Sequence, residues 1–223
     1  MKVELVKTDD GSSSLYVPEL DETFHSTHGA IQESKHVFIE AGLNHWLQSN
    51  RGIQSIKIFE VGLGTGLNVL LTYMYLANKE IRCDYEAIEL NPLSDDVIHQ
   101  LNYQNVLDAP LDAFENIHAA PWEKAIPLTE QFLLKKIHAS FLTFSSTQQF
   151  DLIYFDAFGP SKQSDLWNME IITKCHDMLH SGGVFVTYSA KGQLKRDLKE
   201  AGFNLDVLAG PPGKLQMTRA IKP

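Results

Sequence analysis

Short apolar runs alternate along the middle of the chain with segments whose apolar residues recur every three to four positions. The runs that begin at residues 56, 83, 150 and 182 are rich in β-branched and aromatic residues, and segments with helical spacing, such as LNVLLTYMYLA, separate them. Such alternation is typical of βαβ units and a largely parallel sheet. Because FDLIYF and GVFVTY are apolar almost throughout, they predict strands that are buried on both faces.

The two ends of the chain depart from this alternation. Near the start, VELVK and SLYV flank a DDG turn and predict a β-hairpin, after which the spacing becomes helical. Near the end, a helix closed by Gly202 precedes two apolar runs joined by GPPGK, which predicts an antiparallel pair at the sheet edge. We therefore predict a doubly wound, mostly parallel, Rossmann-like α/β domain over residues 51–223, with a hairpin-and-helix extension over residues 1–50.

Composition places the chain among globular proteins and limits how it could bind RNA. Of the 223 residues, 43% are hydrophobic and 21% are charged, which is close to the globular averages. The 28 acidic residues exceed the 19 basic ones to give a net charge of -9, so any nucleic-acid site must be a local basic patch. Two cysteines without a CxxC pair, and no apolar run of about 20 residues, favour a cytoplasmic protein without a membrane segment.

A glycine-rich turn follows the first predicted strand of the domain and opens the next helix. It contains Gly62, Gly64 and Gly66, where a backbone without Cβ atoms turns tightly and lets a ligand approach closely. The dinucleotide fingerprint GxGxxG would need a glycine at Leu67. The spacing instead matches the ExGxGxG motif of S-adenosylmethionine-dependent methyltransferases, in which the carboxylate of Glu60 would suit the cationic methionyl end of that cofactor.

The second predicted strand of the domain ends in another acid. Glu89 lies 23 residues after Gly66, close to the spacing of about 20 residues expected for an acid that binds ribose hydroxyls. The alternative, in which the glycines only shape a turn and Glu89 only ends a strand, stays open. The residues predicted to bind S-adenosylmethionine from this pattern are Glu60, Gly62, Gly64, Gly66, Asn68 and Glu89.

The strand FDLIYF ends in Asp156, which is the candidate catalytic residue. Because ligands of doubly wound sheets bind beyond the carboxyl ends of the strands, Asp156, Glu60 and Glu89 should face one crevice. Methyl transfer is an in-line displacement that needs a free lone pair, and an amine is mostly protonated at pH 7. A carboxylate at Asp156 could orient such an amine and take or relay its proton. The simpler alternative is that Asp156 caps the following loop.

Several segments together resemble the stand-alone form of the MnmC-type methyltransferases, which methylate the 5-aminomethyl group of a tRNA wobble uridine. They span nearly the whole chain: ETFHSTHGAIQESKHVF, FEVGLGTGLN, IELNP, YFDAFGPSKQSDLW, and TYSAKGQLKRDLKEAGF with GPPGKLQMTRA. The resemblance implies a class I methyltransferase fold, S-adenosylmethionine as the methyl donor and Asp156 as the catalytic residue. It also implies a tRNA bearing 5-aminomethyl-2-thiouridine as the substrate and the 5-methylaminomethyl form as the product.

The resemblance implies further binding residues and a partner. Related sequences commonly contact the adenine ring through an acid before the strand FDLIYF, but this chain has KIHASF there, which leaves Ser140 or His138; we assign Ser140. In some members an oxidase domain makes the amine; this chain shows no second glycine fingerprint, so we expect it to perform only the methylation, with a separate oxidase as a functional partner. Substrate binding is assigned to Phe158, Pro160, Lys162, Trp167, Tyr188, Lys191 and Lys214.

Two of these assignments have alternatives in the sequence itself. Trp167 is either a stacking platform for a base or an inward-facing helix residue. Lys191, Lys195 and Lys199 lie on the predicted C-terminal helix, which is either a phosphate-binding face or an ordinary solvated face. Although the chain has nine histidines, no HExxH motif or zinc-type spacing occurs, so we predict no metal site.

Three other functions stay open. A small-molecule amine methyltransferase or aminopropyltransferase would use a similar fold, and turnover of a free polyamine would identify it. A dinucleotide oxidoreductase is disfavoured by Leu67, and binding of NAD would indicate it. A non-catalytic binding module would bind the cofactor without turnover.

Overall fold

Two β-sheets organise the protein, which a computed structural model describes over all residues 1–223. A small antiparallel sheet near the start of the chain contains the predicted hairpin, joined by one further short strand. A large sheet contains the other eight strands. The strands are β1 (Glu4–Lys7), β2 (Ser13–Val17), β3 (Glu22–Thr23), β4 (Ser55–Val61), β5 (Arg82–Glu89), β6 (Ala125–Thr129), β7 (Phe132–His138), β8 (Phe150–Phe155), β9 (Leu179–Thr187), β10 (Asn204–Ala209) and β11 (Gln216–Ile221).

The large sheet is parallel in its centre and antiparallel at both edges. Its strands lie in the order β10-β11-β9-β8-β4-β5-β7-β6. The five central strands β9, β8, β4, β5 and β7 are parallel, and β11 pairs antiparallel with both β9 and β10. The predicted doubly wound sheet with an antiparallel edge is therefore confirmed.

Helices cover both faces of this sheet, and none is long and apolar enough to cross a membrane. The first helical stretch is continuous over residues 30–49, with a π-helical middle (Lys35–Asn44) between two α-helical ends. A short 3-10 helix (Ser164–Leu166) follows β8. The α-helices are α1 (Ala30–Ser34), α2 (His45–Ser49), α3 (Leu67–Leu76), α4 (Asp95–Ile98), α5 (Tyr103–Val106), α6 (Ala113–Ala119), α7 (Met169–Met178) and α8 (Gly192–Glu200).

The N-terminal helical stretch packs directly on the large sheet. The Phe38 ring lies 5.1 Å from the Tyr154 ring of β8, and a Cβ atom at Gly42 would lie 3.0 Å from Val186 of β9. Residues of this stretch, of α3 and of the sheet share one buried apolar cluster, while α7 and α8 belong to the cluster on the other face. The division into an extension over residues 1–50 and a domain over residues 51–223 stays a prediction.

The edge opposite β10 is formed by a segment that interrupts the alternating pattern of the sequence. Residues 119–136 contain Pro121, Trp122 and Pro127, and this break in pattern predicts an insertion. The segment supplies β6 and most of β7, which pair antiparallel with a register shift after Pro127. Proline is tolerated there because β6 is the edge strand, so the missing N–H does not interrupt a ladder on its outer side.

Candidate active site

A cavity of about 1040 Å³ opens at the carboxyl ends of the parallel strands. The residues that follow β4, β5, β7, β8 and β9 contribute to its wall, which is the usual position of a ligand site in an open α/β sheet. The segment around β3 and α1, and the turn between β10 and β11, close it from the other side. The predicted site residues that line it are Gly62, Gly64, Asn68, Glu89, Ser140, Asp156, Phe158, Pro160, Lys162, Tyr188, Lys191 and Lys214.

The glycine turn brings the backbone of β4 close to the end of β8. Gly62 has a φ of +92°, and a Cβ atom there would lie 2.6 Å from the carbonyl oxygen of Asp156. The amides of Gly62 and Leu63 both donate to the carbonyl oxygen of Ile88, at 3.0 and 3.2 Å. A side chain at position 62 would therefore force the two strand ends apart, which explains why this position needs glycine.

Gly66 does not line the cavity. It precedes α3 in a left-handed conformation with a φ of +73°, and a Cβ atom there would lie 2.9 Å from His118 Nε2. His118 Nε2 in turn lies 3.1 Å from the carbonyl oxygen of Thr65. Gly66 therefore shapes the turn where it packs against α6, and its assignment to cofactor binding stays a prediction.

Glu60 is also set back from the cavity. It is fully buried in β4, where its carboxylate accepts hydrogen bonds from Asn68 Nδ2 and the Tyr85 hydroxyl, both at 2.9 Å. Asn68 Nδ2 also donates to Asp156 Oδ2 at 2.8 Å. Glu60 therefore fixes the Asn68 amide that holds Asp156, and its assignment to cofactor binding stays a prediction.

The environments of Glu60 and Asp156 disfavour charge on both. Burial raises the pKa of Glu60 well above its usual value, against the opposing effect of the Asn68 hydrogen bond. Burial also raises the pKa of Asp156 to about 7, and the nearby carboxylate of Glu33 adds to this increase. The Asn68 hydrogen bond and the Lys214 charge act in the opposite direction. Asp156 is thus a carboxyl group that can exchange a proton near neutral pH.

Glu89 ends β5 in a different environment. Its Oε2 accepts from the Gly64 amide at 3.1 Å, and its Oε1 accepts from the Asn91 amide at 2.8 Å. The carboxylate thus stays at the cavity wall and ties the glycine turn to the end of the next strand. A carboxylate fixed in this way can accept hydrogen bonds from the two hydroxyls of a ribose.

Ser140 and its neighbours form the cavity wall beyond β7. Residues 139–142 all line the cavity, and Ser140 Oγ accepts from the Leu142 amide at 3.3 Å. His138, the other residue considered for an adenine contact, does not line the cavity, and its Nε2 lies 3.2 Å from the carbonyl oxygen of Leu90. The geometry therefore favours Ser140 over His138 for a contact with a bound base.

The loop after Asp156 is held from within by Trp167. Trp167 Nε1 donates to the carbonyl oxygen of Phe158 at 2.7 Å, and its ring packs edge-on against Phe155 at 4.9 Å. Its side chain is buried and outside the cavity, because the 3-10 helix turns it toward the apolar cluster behind the loop. This position matches the inward-facing alternative, in which Trp167 supports the loop that contains Phe158, and its assignment to substrate binding stays a prediction.

Residues from the segment before the main domain complete the site. The Phe24 ring packs edge-on against the Phe158 ring at 5.1 Å and lies over Gly64. His25 lines the cavity in a buried position that lowers its pKa to about 4, so it is neutral at pH 7. Glu33, which is also buried, contacts Lys214. The sequence interpretation did not single out Phe24 or Glu33, although both lie in the segment ETFHSTHGAIQESKHVF that carried the family resemblance.

The site contains no group of three or more His, Cys, Asp or Glu side chains arranged to hold a metal ion, and neither does the rest of the chain. Its polar groups are instead distributed around the cavity wall on separate strand ends. This arrangement suits an extended organic ligand.

Comparison with known proteins shows which proteins the chain is similar to. Residues 131–223 match the model of a family described as S-adenosyl-L-methionine-dependent methyltransferases. The chain is 30% identical, over 94% of its length, to the tRNA 5-methylaminomethyl-2-thiouridine biosynthesis bifunctional protein MnmC of Burkholderia multivorans. The match covers 33% of that protein, and the chain spans about a third of the length of the curated relatives it matches.

Solved structures show the same fold. The structure of MNMC2 from Aquifex aeolicus superimposes with a TM-score of 0.78 at 22% identity, covering 100% of this chain and 72% of that one. Spermidine synthase from Thermotoga maritima gives a TM-score of 0.58 at 14% identity, covering 100% of this chain and 73% of that one. The expected resemblance is confirmed: the chain is related along nearly its whole length to MnmC proteins, and it has the fold of S-adenosylmethionine-dependent methyltransferases.

Proposed function

We propose that the chain is an S-adenosylmethionine-dependent methyltransferase that N-methylates the 5-aminomethyl group of 5-aminomethyl-2-thiouridine at the tRNA wobble position. The observation that carries the proposal is the position of Asp156, a carboxyl group held by Asn68 at the cavity wall beside the glycine turn. The names of the relatives, which refer to biosynthesis of 5-methylaminomethyl-2-thiouridine in tRNA, supply the substrate.

The residues at the cavity fit the cofactor. The glycine turn leaves backbone exposed at Gly62 and Gly64, where a ligand can approach without meeting Cβ atoms. Asn68 Oδ1 is buried without a hydrogen-bond partner, so it can accept from the amino group of a methionyl tail. Glu89 is placed to accept from the ribose hydroxyls, and the loop at Ser140 borders the space for the adenine.

The proposed reaction makes one bond and breaks one. S-adenosylmethionine supplies a methyl group on a sulfonium; the amine lone pair forms the new N–C bond, and the pair of the broken S–C bond stays on sulfur. The amine must first be neutral, and the methylated nitrogen must afterwards lose a proton. Asp156 is suited to both tasks, because a carboxyl group with a pKa of about 7 accepts and releases a proton near neutral pH.

A local set of side chains supports binding of a nucleotide within RNA. Phe158, held edge-on by Phe24, offers an apolar surface at the cavity. Lys162 and Lys191 also line the cavity, where their ammonium groups could contact the backbone phosphates on either side of the target base. Binding through two or three lysines is compatible with the net charge of -9, because only the local field at the cavity has to be positive.

The proposed substrate also indicates where the reaction takes place and which reaction precedes it. A tRNA substrate places the activity in the cytoplasm. We also propose that a separate oxidase supplies the aminomethyl group, as the word bifunctional in the names of the relatives suggests.

The test is methyl transfer to tRNA by the purified chain. Transfer RNA isolated from cells that lack this methylation is incubated with S-adenosylmethionine, and its nucleosides are analysed by mass spectrometry. We expect conversion of 5-aminomethyl-2-thiouridine to its methylated form by the wild type and by Asp177→Asn, which changes an exposed acid outside the cavity. Methylation or aminopropylation of a free polyamine, with no change in the tRNA, would contradict the proposal.

A further inference from the structure

A partly buried ion pair between Lys214 and Glu33 lines the same cavity as Asp156. Lys214 Nζ lies 2.5 Å from Glu33 Oε2 and 3.8 Å from the centre of the Tyr188 ring. Glu33 is only 5% exposed, and its Oε1 accepts from the Ser26 amide at 3.1 Å. Several contacts therefore hold the ion pair in place. The side chains of Glu33, Lys214 and Asp156 all border the same cavity.

Distant parts of the chain meet at this ion pair. Glu33 lies on α1, whereas Lys214 lies in the turn between β10 and β11. That turn is fixed by backbone hydrogen bonds, from the Lys214 amide to the carbonyl oxygen of Pro211 at 2.9 Å and from the Gly210 amide to that of Leu215 at 3.1 Å. A buried ion pair is weak evidence of stabilisation, because desolvation of its charges offsets their attraction. Its position at the site calls for a functional explanation.

The ion pair sets the charge that a substrate amine meets. The charged groups that act on Asp156 are Glu33, which raises its pKa, and Lys214, which lowers it by less, while Glu60 lies behind Asn68. The other neighbours are neutral hydrogen-bonding groups: Tyr188, whose hydroxyl donates to the Ala157 carbonyl, and the buried Tyr103 and His25. Lys214 thus offsets part of the negative charge that Glu33 places near Asp156. Without Lys214, two carboxylates would face the amine and hold it as an ammonium ion, which has no lone pair.

Resting on the proposed function, we propose that Lys214, held by Glu33, is a positioning residue that offsets the negative charge of Glu33 beside Asp156 and the substrate amine. The incoming ammonium then passes one proton to the Asp156 carboxylate and remains as a neutral amine next to a neutral carboxylic acid. No other atom is exchanged in this step. Lys214 contributes charge without touching the reacting nitrogen, and Glu33 fixes where that charge lies.

Opposite shifts of the pH dependence test the inference. Lys214→Met should move the acid limb of the pH profile of kcat to higher pH by about one unit. Without Lys214, the uncompensated charge of Glu33 raises the pKa of both Asp156 and the substrate amine. Glu33→Gln should move it to lower pH by a similar amount, and the double variant should return it close to the wild-type position. Lys214→Arg keeps the charge and should keep the profile.

A titration of the protein without substrate gives a second readout. The carbon-13 carboxyl signal of Asp156, identified by its absence in Asp156→Asn, should titrate at higher pH in Lys214→Met and at lower pH in Glu33→Gln. Matched controls are Lys79→Met, which removes a lysine 4.4 Å from the Tyr75 ring, and Glu86→Gln, which breaks an ion pair of 3.6 Å with Lys135. Neither control should move the signal.

The outcomes separate this inference from the proposed function. Shifts of the same sign, or no shift, in the two single variants would overturn the role of the ion pair, and if one variant fails to fold, the sign of the other decides. Absence of methylated tRNA with every protein, wild type included, would instead contradict the proposed function. The carboxyl titration does not depend on the tRNA, so it still decides how the charges act on Asp156.

Discussion

Two carboxylates end strands of the same sheet in contrasting environments. Glu89, at the end of β5, is held by two backbone amides and faces the cavity as a fixed acceptor. Asp156, just beyond β8, is held by one side-chain amide and lies in a buried environment that raises its pKa to about 7. The strand end thus places an acid at the site, but its surroundings decide what the acid can do. One environment suits binding of hydroxyl groups, and the other suits proton transfer.

Removing the carboxylate that exchanges protons should have the largest effect. We expect Asp156→Asn to lower kcat about 100-fold to 10,000-fold, the usual contribution of a positioned proton acceptor. The affinity for S-adenosylmethionine should change little, because the glycine turn and Glu89 remain. Calorimetry and single-turnover kinetics measure the two quantities, and unchanged turnover would remove Asp156 from the mechanism.

Substitution of Glu89, the fixed hydrogen-bond acceptor, should lower the affinity for the cofactor and leave kcat unchanged. We expect Glu89→Gln to weaken binding of S-adenosylmethionine about 10-fold to 100-fold, because hydrogen bonds to a charged group contribute about 1.5–3 kcal/mol. The value of kcat at saturating cofactor should stay near that of the wild type. Glu80→Gln, on the exposed connection before β5, serves as the control. A fall in kcat with normal affinity would contradict the assignment of cofactor binding to Glu89 and proton transfer to Asp156.

The raised pKa of Asp156 also predicts how stability depends on pH. Its pKa in the folded protein, about 7, lies above the ordinary value of 3.8, so the folded state binds more protons between these pH values and loses stability as the pH rises through them. Asp156→Asn removes this loss. We expect its Tm to exceed that of the wild type by a few degrees at pH 8 and by much less at pH 4. Thermal denaturation at both pH values measures the difference, and a lower Tm at pH 8 would contradict it.

The smallest effect is expected behind the catalytic loop. Trp167→Phe keeps an aromatic ring in the apolar cluster but removes the hydrogen bond to the Phe158 carbonyl, which is worth about 1 kcal/mol. We expect a severalfold increase in KM for tRNA with little change in kcat, because Phe158 is then held less firmly. A large loss of cofactor binding would show that the loop does more than present the substrate.

The sequence predicted the sheet because parallel strands and their helices carry strong local patterns. The same patterns located Glu89 and Asp156, since an acid at the end of a buried strand is visible in the sequence itself. The direction of a side chain is not visible in this way: Glu60 and Trp167 matched the expected spacing, yet both are buried behind the cavity wall. Spacing along a strand or loop does not say which neighbours will cover the side chain.

The wall opposite the strand ends was the least predictable part. Glu33 lies in a helix whose other positions give no sign of a site, and it meets Lys214 across 181 residues of sequence. Only tertiary packing brings the two together, so no local motif could identify them. The family resemblance covered both segments but did not say that they touch.

The most direct test of the account is a crystal structure of the chain with S-adenosylhomocysteine. We predict that the ribose hydroxyls bind Glu89, that the amino acid tail meets Asn68 and the glycine turn, and that the space beyond the sulfur opens toward Asp156. A product bound with its sulfur turned away from Asp156, or bound outside this cavity, would contradict the central claim. That claim is that Glu89 binds the methyl donor while Asp156 acts on the amine that accepts the methyl group.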